Sequence, residues 1–232
     1  MKTIGLLGGM SWESTTLYYR LLNEGVKAAL GGLHSADILM HSVDFAVIAE
    51  LQNANQWEEA GTLLAKAAKG LERAGADFML IGTNTMHIVA PQIADAIRIP
   101  LLHIADATAD AIKPKGIKKV GLLATRFTME KDFYKGHLQD HHGIETIVPD
   151  AEDRTTVHRI IYEELCLGHL SSQSRDTYVQ IIDKLAQAGA ECIILGCTEI
   201  GLLVDERHTT VPLLDTASLH AEAAVKLATA QI

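Results

Sequence analysis

Apolar residues along this chain fall in short unbroken runs, separated by longer stretches of mixed character. Runs at 3–7, 36–42, 77–81 and 99–103, and again at 119–123, 144–148, 191–195 and 211–214, have the length and aliphatic content of buried strands. Stretches such as Trp57 to Ala74 and Arg175 to Ala188 instead carry a helical period. Strands that are apolar on both faces and alternate with helices predict an α/β protein built on mainly parallel sheets, flanked by helices.

The pattern repeats. Leu71-Glu-Arg-Ala-Gly-Ala-Asp-Phe-Met-Leu-Ile-Gly-Thr83-Asn84-Thr85 matches Leu185-Ala-Gln-Ala-Gly-Ala-Glu-Cys-Ile-Ile-Leu-Gly-Cys197-Thr198-Glu199 at an offset of 114 residues. Lys2-Thr-Ile-Gly-Leu-Leu-Gly-Gly9 parallels Lys118-Lys-Val-Gly-Leu-Leu-Ala-Thr125 at an offset of 116, and Ile99-Pro-Leu-Leu-His103 parallels Val211-Pro-Leu-Leu-Asp215 at 112. A period this long is not a solenoid repeat. It predicts an internal duplication into two similar domains, 1–113 and 118–215, joined at the polar Lys113-Pro-Lys-Gly-Ile-Lys-Lys119 segment. A C-terminal helix, 216–232, can pack back on the first half.

In parallel sheets ligands bind beyond the carboxyl ends of the strands. Gly8-Gly9-Met10-Ser11, Thr83-Asn84-Thr85, Thr125 and Cys197-Thr198-Glu199 all fall at such ends, and a cleft between the two domains would gather them into one active site. One copy of the repeat offers a thiol where the other offers a hydroxyl. That arrangement suits two groups working on one substrate from opposite sides. Cys197 follows a glycine at a strand end, and a helix beginning there would favour its thiolate. Cys192 lies inside the strand and reads as core. Thr83 is the symmetric mate, a far weaker acid than a thiol. Asn84, Thr85, Thr198 and Glu199 offer short polar side chains and backbone N–H groups that suit a substrate carboxylate, as well as ordinary helix capping.

Composition narrows the partners. A net charge of −9 without a Lys/Arg-rich patch argues against nucleic acid. No apolar run reaches membrane-spanning length and no signal peptide opens the chain, so a cytoplasmic protein acting on a small molecule is expected. Three cysteines make no disulfide framework. The Gly8-Gly9 pair lacks both nucleotide-loop patterns, and close backbone approach to a small ligand accounts for it. Eleven histidines invite a metal, but His137, His141 and His142 around Asp140 read as a solvated helix end, and no metal is expected. His87, four residues after Thr83, reads as packed at the start of a helix rather than as a general base.

Gly8-Gly-Met-Ser-Trp12-Glu-Ser-Thr15, Val43-Asp-Phe-Ala46 with Leu51-Gln52, Gly82-Thr-Asn-Thr-Met-His87 and Gly196-Cys-Thr-Glu199 together resemble the aspartate/glutamate racemase superfamily over essentially the whole chain. The resemblance implies a cofactor-independent amino-acid racemase, an isomerase needing neither pyridoxal phosphate nor metal. One group removes the α-proton from one face of the substrate and its mate reprotonates the other. By the resemblance, Cys197 is the base on the L face and Thr83 acts opposite. Met10, Gln52, Asn84, Thr85, Thr125, Thr198 and Glu199 would contact the substrate, and a homodimer is implied. The chain departs from the family pattern in three ways. Thr83 stands where a cysteine is usual, Asp44 to Gln52 contains no arginine, and Cys166 stands where a lysine is usual. The loss of two cations widens the expected substrates from glutamate and aspartate to neutral hydroxylated amino acids such as homoserine. Thr83 also leaves open a single-cysteine decarboxylase or isomerase of the same superfold. A non-catalytic amino-acid-binding protein is the further alternative.

Overall fold

The computed structural model describes residues 1–230; the last two positions of the expected C-terminal helix, 231 and 232, lie outside the described residues. In chain order the elements are β1 (Ile4–Gly8), α1 (Trp12–Leu30), β2 (Ile38–Ser42), α2 (Phe45–Asn53), α3 (Trp57–Ala74), β3 (Phe78–Ile81), α4 (Ala90–Ala96) and β4 (Leu101–Leu102). They continue through α5 (Ile104–Ile112), β5 (Lys119–Leu123), α6 (Arg126–Glu130), α7 (Asp132–His142), β6 (Glu145–Ile147), α8 (Ala151–Glu163) and α9 (Ser172–Gln187). The chain closes with β7 (Cys192–Leu195), α10 (Ile200–Leu203), β8 (Leu213–Asp215) and α11 (Thr216–Thr229). Among the described residues the strands form two four-stranded sheets, ordered β2-β1-β3-β4 and β6-β5-β7-β8. Every pairing within them is parallel. The chain is thus α/β, with two similar sheets flanked by helices, as the repeat predicts.

Two compact units result. One comprises Met1–Ile104 with the chain from Ala217 onward, and the other comprises Ala105–Thr216. Residues 105–113, read from the sequence as the end of the first half, group with the second unit, 105–112 of them as part of α5. The strands lie close to the expected runs. β4 is the shortest, because Pro100 has no N–H to give a ladder and α5 starts at Ile104.

The first sheet shows why its strands are apolar on both faces. Leu7, Met79 and Ile81 pack with Leu64, Ala68 and Leu71 of α3. Ile4, Leu6, Phe78 and Leu80 point the other way, onto Tyr18, Leu22 and Val26 of α1 and onto Ala217, Ala221 and Ala224 of α11. Successive residues of β1 and β3 therefore feed opposite cores. Leu64 is fully buried, and truncating it to alanine would cost about 2–5 kcal/mol. The duplicated Ala-Gly-Ala turns fold alike: Gly75 and Gly189 close α3 and α9 with φ of 105° and 97°.

Strand order positions the chemistry. In each sheet the two central strands leave in opposite directions along the sheet order, so a crevice opens beyond their carboxyl ends. In the first sheet Leu7 pairs with Ile81, and the Gly82 N–H donates to the Leu7 carbonyl at 2.8 Å. In the second, Leu123 pairs with Leu195, and the Gly196 N–H donates to the Leu123 carbonyl at 2.8 Å. Thr83 and Cys197 are the next residues after these matched glycines. Within the described residues no helix is long and apolar enough to cross a membrane.

Candidate active site

In the first unit the loop after β1 is closely packed. Gly9 has φ of 89°, and a Cβ there would lie 2.2 Å from the Val43 carbonyl oxygen. Its N–H donates to Thr15 Oγ1 at 2.7 Å, and that hydroxyl donates to the Ser11 carbonyl at 2.8 Å. A Cβ on Gly8 would meet the Thr15 side chain at 2.5 Å. The glycine pair is thus required by the protein's own backbone and Thr15, whereas the sequence reading assigned it to a ligand's approach. Met10 is buried behind this turn.

Beyond β3, Thr83 is half-buried, and among the described residues its hydroxyl makes no hydrogen bond. Asn84 and Thr85 are buried, and Thr85 opens a single 3₁₀ turn, Thr85–Val89. His87 in that turn is buried. Its Nδ1 bonds the Thr83 carbonyl at 2.8 Å, and its Nε2 accepts from the Ile104 N–H at 3.2 Å. Burial first, and then the neighbouring His103 and His220, hold its pKa well below the usual imidazole value. A neutral ring with both nitrogens committed to the backbone is not a general base, in keeping with the sequence reading. Gln52, on α2, is buried, and its amide donates to Met86 Sδ at 3.0 Å.

In the second unit Cys197 follows β7. Its thiol donates to Glu199 Oε2 at 2.9 Å, and the Thr198 hydroxyl donates to the same oxygen at 2.6 Å. Burial pushes the thiol well above the ordinary cysteine pKa; the Glu199 charge, the hydrogen bond to Glu199 and the charge of Cys166 add to it. The Glu199 backbone N–H pulls the other way and does not prevail. This corrects the expectation of a thiolate favoured by a helix dipole. The helix that follows, α10, has only four residues, and a carboxylate stands in front of it. Glu199, read from the sequence as a substrate contact, is engaged with the thiol.

Around this pair lie two tyrosines the sequence did not single out. Tyr162 is pushed up to about 12, by burial first and then by Cys166, Cys197 and Glu199. Tyr178 is raised well above its ordinary value by burial and then by Cys197. Thr125, beyond β5, is buried with its hydroxyl 3.3 Å from that of Thr128. Cys166 lies on a 3₁₀ turn, Leu165–Leu167, after α8. Cys192 is core, its thiol raised to about 11 by burial.

Two of the three histidines of α7 are not solvated, while His141 is exposed. His137 Nε2 and His142 Nε2 lie 2.6 and 2.7 Å from one oxygen, Asp106 Oδ1 on α5. The side chain of His142 is 11% exposed and that of His137 is 20% exposed. The partner Asp106 is more than thirty residues away in sequence, so the bare H-x₃-H-H spacing gave no sign of it.

A family model for Asp/Glu/Hydantoin racemase matches residues 7–224. The chain belongs to this racemase family. It is 56% identical to a protein from Yersinia pestis, itself described as a candidate Asp/Glu racemase, over 98% of this chain and 99% of that one, with a TM-score of 0.93. It is 35% identical to an aspartate racemase homologue from Pyrococcus horikoshii, over 99% of this chain and 100% of that one, with a TM-score of 0.84. A broad-specificity amino-acid racemase of Bacillus subtilis, RacX, is 24% identical over 225 residues, 96% of each chain. As a member of this racemase family the protein is an isomerase.

Proposed function

We propose that this chain interconverts L- and D-amino acids by removing and replacing the α-proton, without pyridoxal phosphate or a metal. Cys197 is the base on the L face of Cα and Thr83 serves the opposite face. The observation that carries the reading is the thiol of Cys197 donating to Glu199 Oε2 at 2.9 Å. A half-buried thiol of raised pKa is an inert acid on its own, but with a carboxylate in hydrogen-bond contact its proton has somewhere to go. Glu199 takes the proton, the thiolate takes the α-proton of the L substrate, and Thr83 gives its hydroxyl proton to the other face of the carbanion. Glu199 then releases its proton to solvent and Thr83 regains one from it, which returns both groups to their starting state. Asn84, Thr85, Thr125 and Thr198 bind the substrate carboxylate and amine, so that negative charge developing at the carbanion meets fixed donors. Met10 and Gln52 bound the side-chain end.

The two directions cannot be independent. Enantiomers have equal free energy in water, so kcat/KM is the same for L and D substrates. A hydroxyl in place of a thiol slows both directions and makes the individual kcat and KM values unequal. The substrate class is glutamate- or aspartate-like, or neutral and hydroxylated such as homoserine. The absence of an arginine between Asp44 and Gln52 supports the wider range. We read the protein as a cytoplasmic enzyme working as a homodimer, on its likeness to the racemases.

Replacing Cys197 by serine tests the assignment: racemisation falls by orders of magnitude while the fold persists. Undiminished racemisation would remove Cys197 from the mechanism. The Thr83 hydroxyl, with no hydrogen bond to activate it among the described residues, favours a second reading as a single-cysteine decarboxylase or isomerase. Carbon dioxide release from an amino or dicarboxylic acid, without D-enantiomer, would establish that reading instead.

A further inference from the structure

Among the buried titratable groups that this mechanism leaves unused, His87 stands one turn after Thr83 in the same unit. A carbonyl oxygen can only accept a hydrogen bond, so the 2.8 Å contact with the Thr83 carbonyl places the ring proton on Nδ1. The Ile104 N–H can only donate, so Nε2 carries the lone pair. One neutral tautomer satisfies both bonds. Its ring is hemmed in by His103, with centroids 4.6 Å apart, and by His220 at 5.9 Å. His220 is itself fixed: its Nε2 bonds the Leu102 carbonyl at 2.9 Å and its Nδ1 bonds the Tyr18 hydroxyl at 2.9 Å. Tyr18 and His220 are wholly buried.

The consequence concerns Thr83. Apart from the Ile81 carbonyl, which its N–H reaches at 2.8 Å, the anchor on the backbone of this residue is the imidazole of His87. The residue sits beyond the last ladder pair of β3, where no strand among the described residues pairs with it. A proton donor must be placed to within a fraction of an ångström of its target. From this geometry we infer that His87 is a positioning residue, whose Nδ1–H bond to the Thr83 carbonyl sets where the Thr83 hydroxyl stands during reprotonation. The inference rests on Thr83 as the second proton carrier. Burial and the two neighbouring imidazoles disfavour a charged ring, which keeps the required tautomer in place.

Two substitutions separate the bonds. In His87→Asn the amide N–H stands close to the place of Nδ1 and can keep the bond to Thr83. In His87→Gln the longer side chain carries its amide toward Ile104 and leaves the Thr83 carbonyl without its donor. The experiment follows each full-length variant in D₂O with whichever of L-glutamate, L-aspartate or L-homoserine the wild-type protein turns over fastest. It records loss of the α-proton with L configuration retained, which reports Cys197, against appearance of the D-enantiomer, which needs Thr83. The expected result is a ratio of D formation to L exchange lowered by at least about tenfold in His87→Gln and close to wild type in His87→Asn. A purely structural role would depress both signals together and leave the ratio unmoved; that result overturns the inference. Thr83→Ala, run alongside, separates the two claims. If its ratio is unchanged, the role of Thr83 itself is wrong; if its ratio falls while that of His87→Gln does not, only the positioning role is lost.

Discussion

The thiol of Cys197 and the carboxylate of Glu199 share a hydrogen bond of 2.9 Å two residues apart in sequence, at the end of β7. The contact has two opposite effects. It raises the thiol pKa, which makes free thiolate scarce, and it supplies an acceptor for the proton when the thiol must act. The two effects separate in Glu199→Gln. Removing the charge lets the thiol ionise at lower pH, so alkylation of Cys197 by iodoacetamide, followed against pH, shifts its midpoint downward. Racemisation nevertheless falls, by about 10²–10⁴-fold, because the acceptor is gone. A variant that alkylates more readily and also racemises faster would show that Glu199 only restrains the thiol.

Thr83→Cys replaces a weak acid with a stronger one at the same strand end. D-product formation from the L substrate should rise by about tenfold or more if proton delivery limits turnover. The values of kcat/KM in the two directions must rise together. Unchanged rates with unchanged substrate preference would place Thr83 outside the reaction.

His87 also predicts how stability depends on pH. Its folded pKa lies below 6.5, the ordinary imidazole value, through burial and then the nearby His103 and His220. Between that depressed value and 6.5 the unfolded chain binds more protons than the folded one, so stability falls as pH drops through this window and the contribution is complete above it. The stabilisation of the wild type over His87→Gln, from paired urea melts at pH 7.5 and about pH 5, should therefore shrink on acidification. A difference that stays constant, or grows in acid, would contradict a neutral buried ring.

Gly9→Ala tests the packing of the first loop. An L side chain at φ of 89° is strained, and its Cβ would stand 2.2 Å from the Val43 carbonyl. The loss in unfolding free energy should be about 2 kcal/mol or more by denaturant melts. A loss well under that would mean the loop moves aside freely.

Much of the fold was legible because its signals are local. Runs such as Ile4–Leu7 and Ile193–Leu195 are apolar on both faces and bounded by turns, so they can only be central strands. The duplicated ends after Gly82 and Gly196 follow from the same strand–turn grammar repeated at fixed spacing. What escaped the sequence depends on tertiary approach or on a local rotamer. The bond from the Cys197 thiol to Glu199 was not legible because nothing in Gly-Cys-Thr-Glu says that the carboxylate turns back onto the thiol. His137 and His142 read as solvated because their partner, Asp106, belongs to another helix. Gly8 and Gly9 read as open to a ligand because Thr15 and Val43 come to them only through the packing of α1 and β2. The contact of the Gln52 amide with the sulfur of Met86 likewise joins two segments the sequence does not link.

The most direct test of the central claim is proton exchange followed by NMR. Purified protein is incubated in D₂O with L-glutamate, L-aspartate or L-homoserine, with no cofactor added. The account predicts that the α-proton signal of at least one substrate disappears while its D-enantiomer accumulates toward an equal mixture, and that Cys197→Ser abolishes both. Wild-type protein that neither exchanges the α-proton nor forms D-enantiomer with any of the three would contradict it.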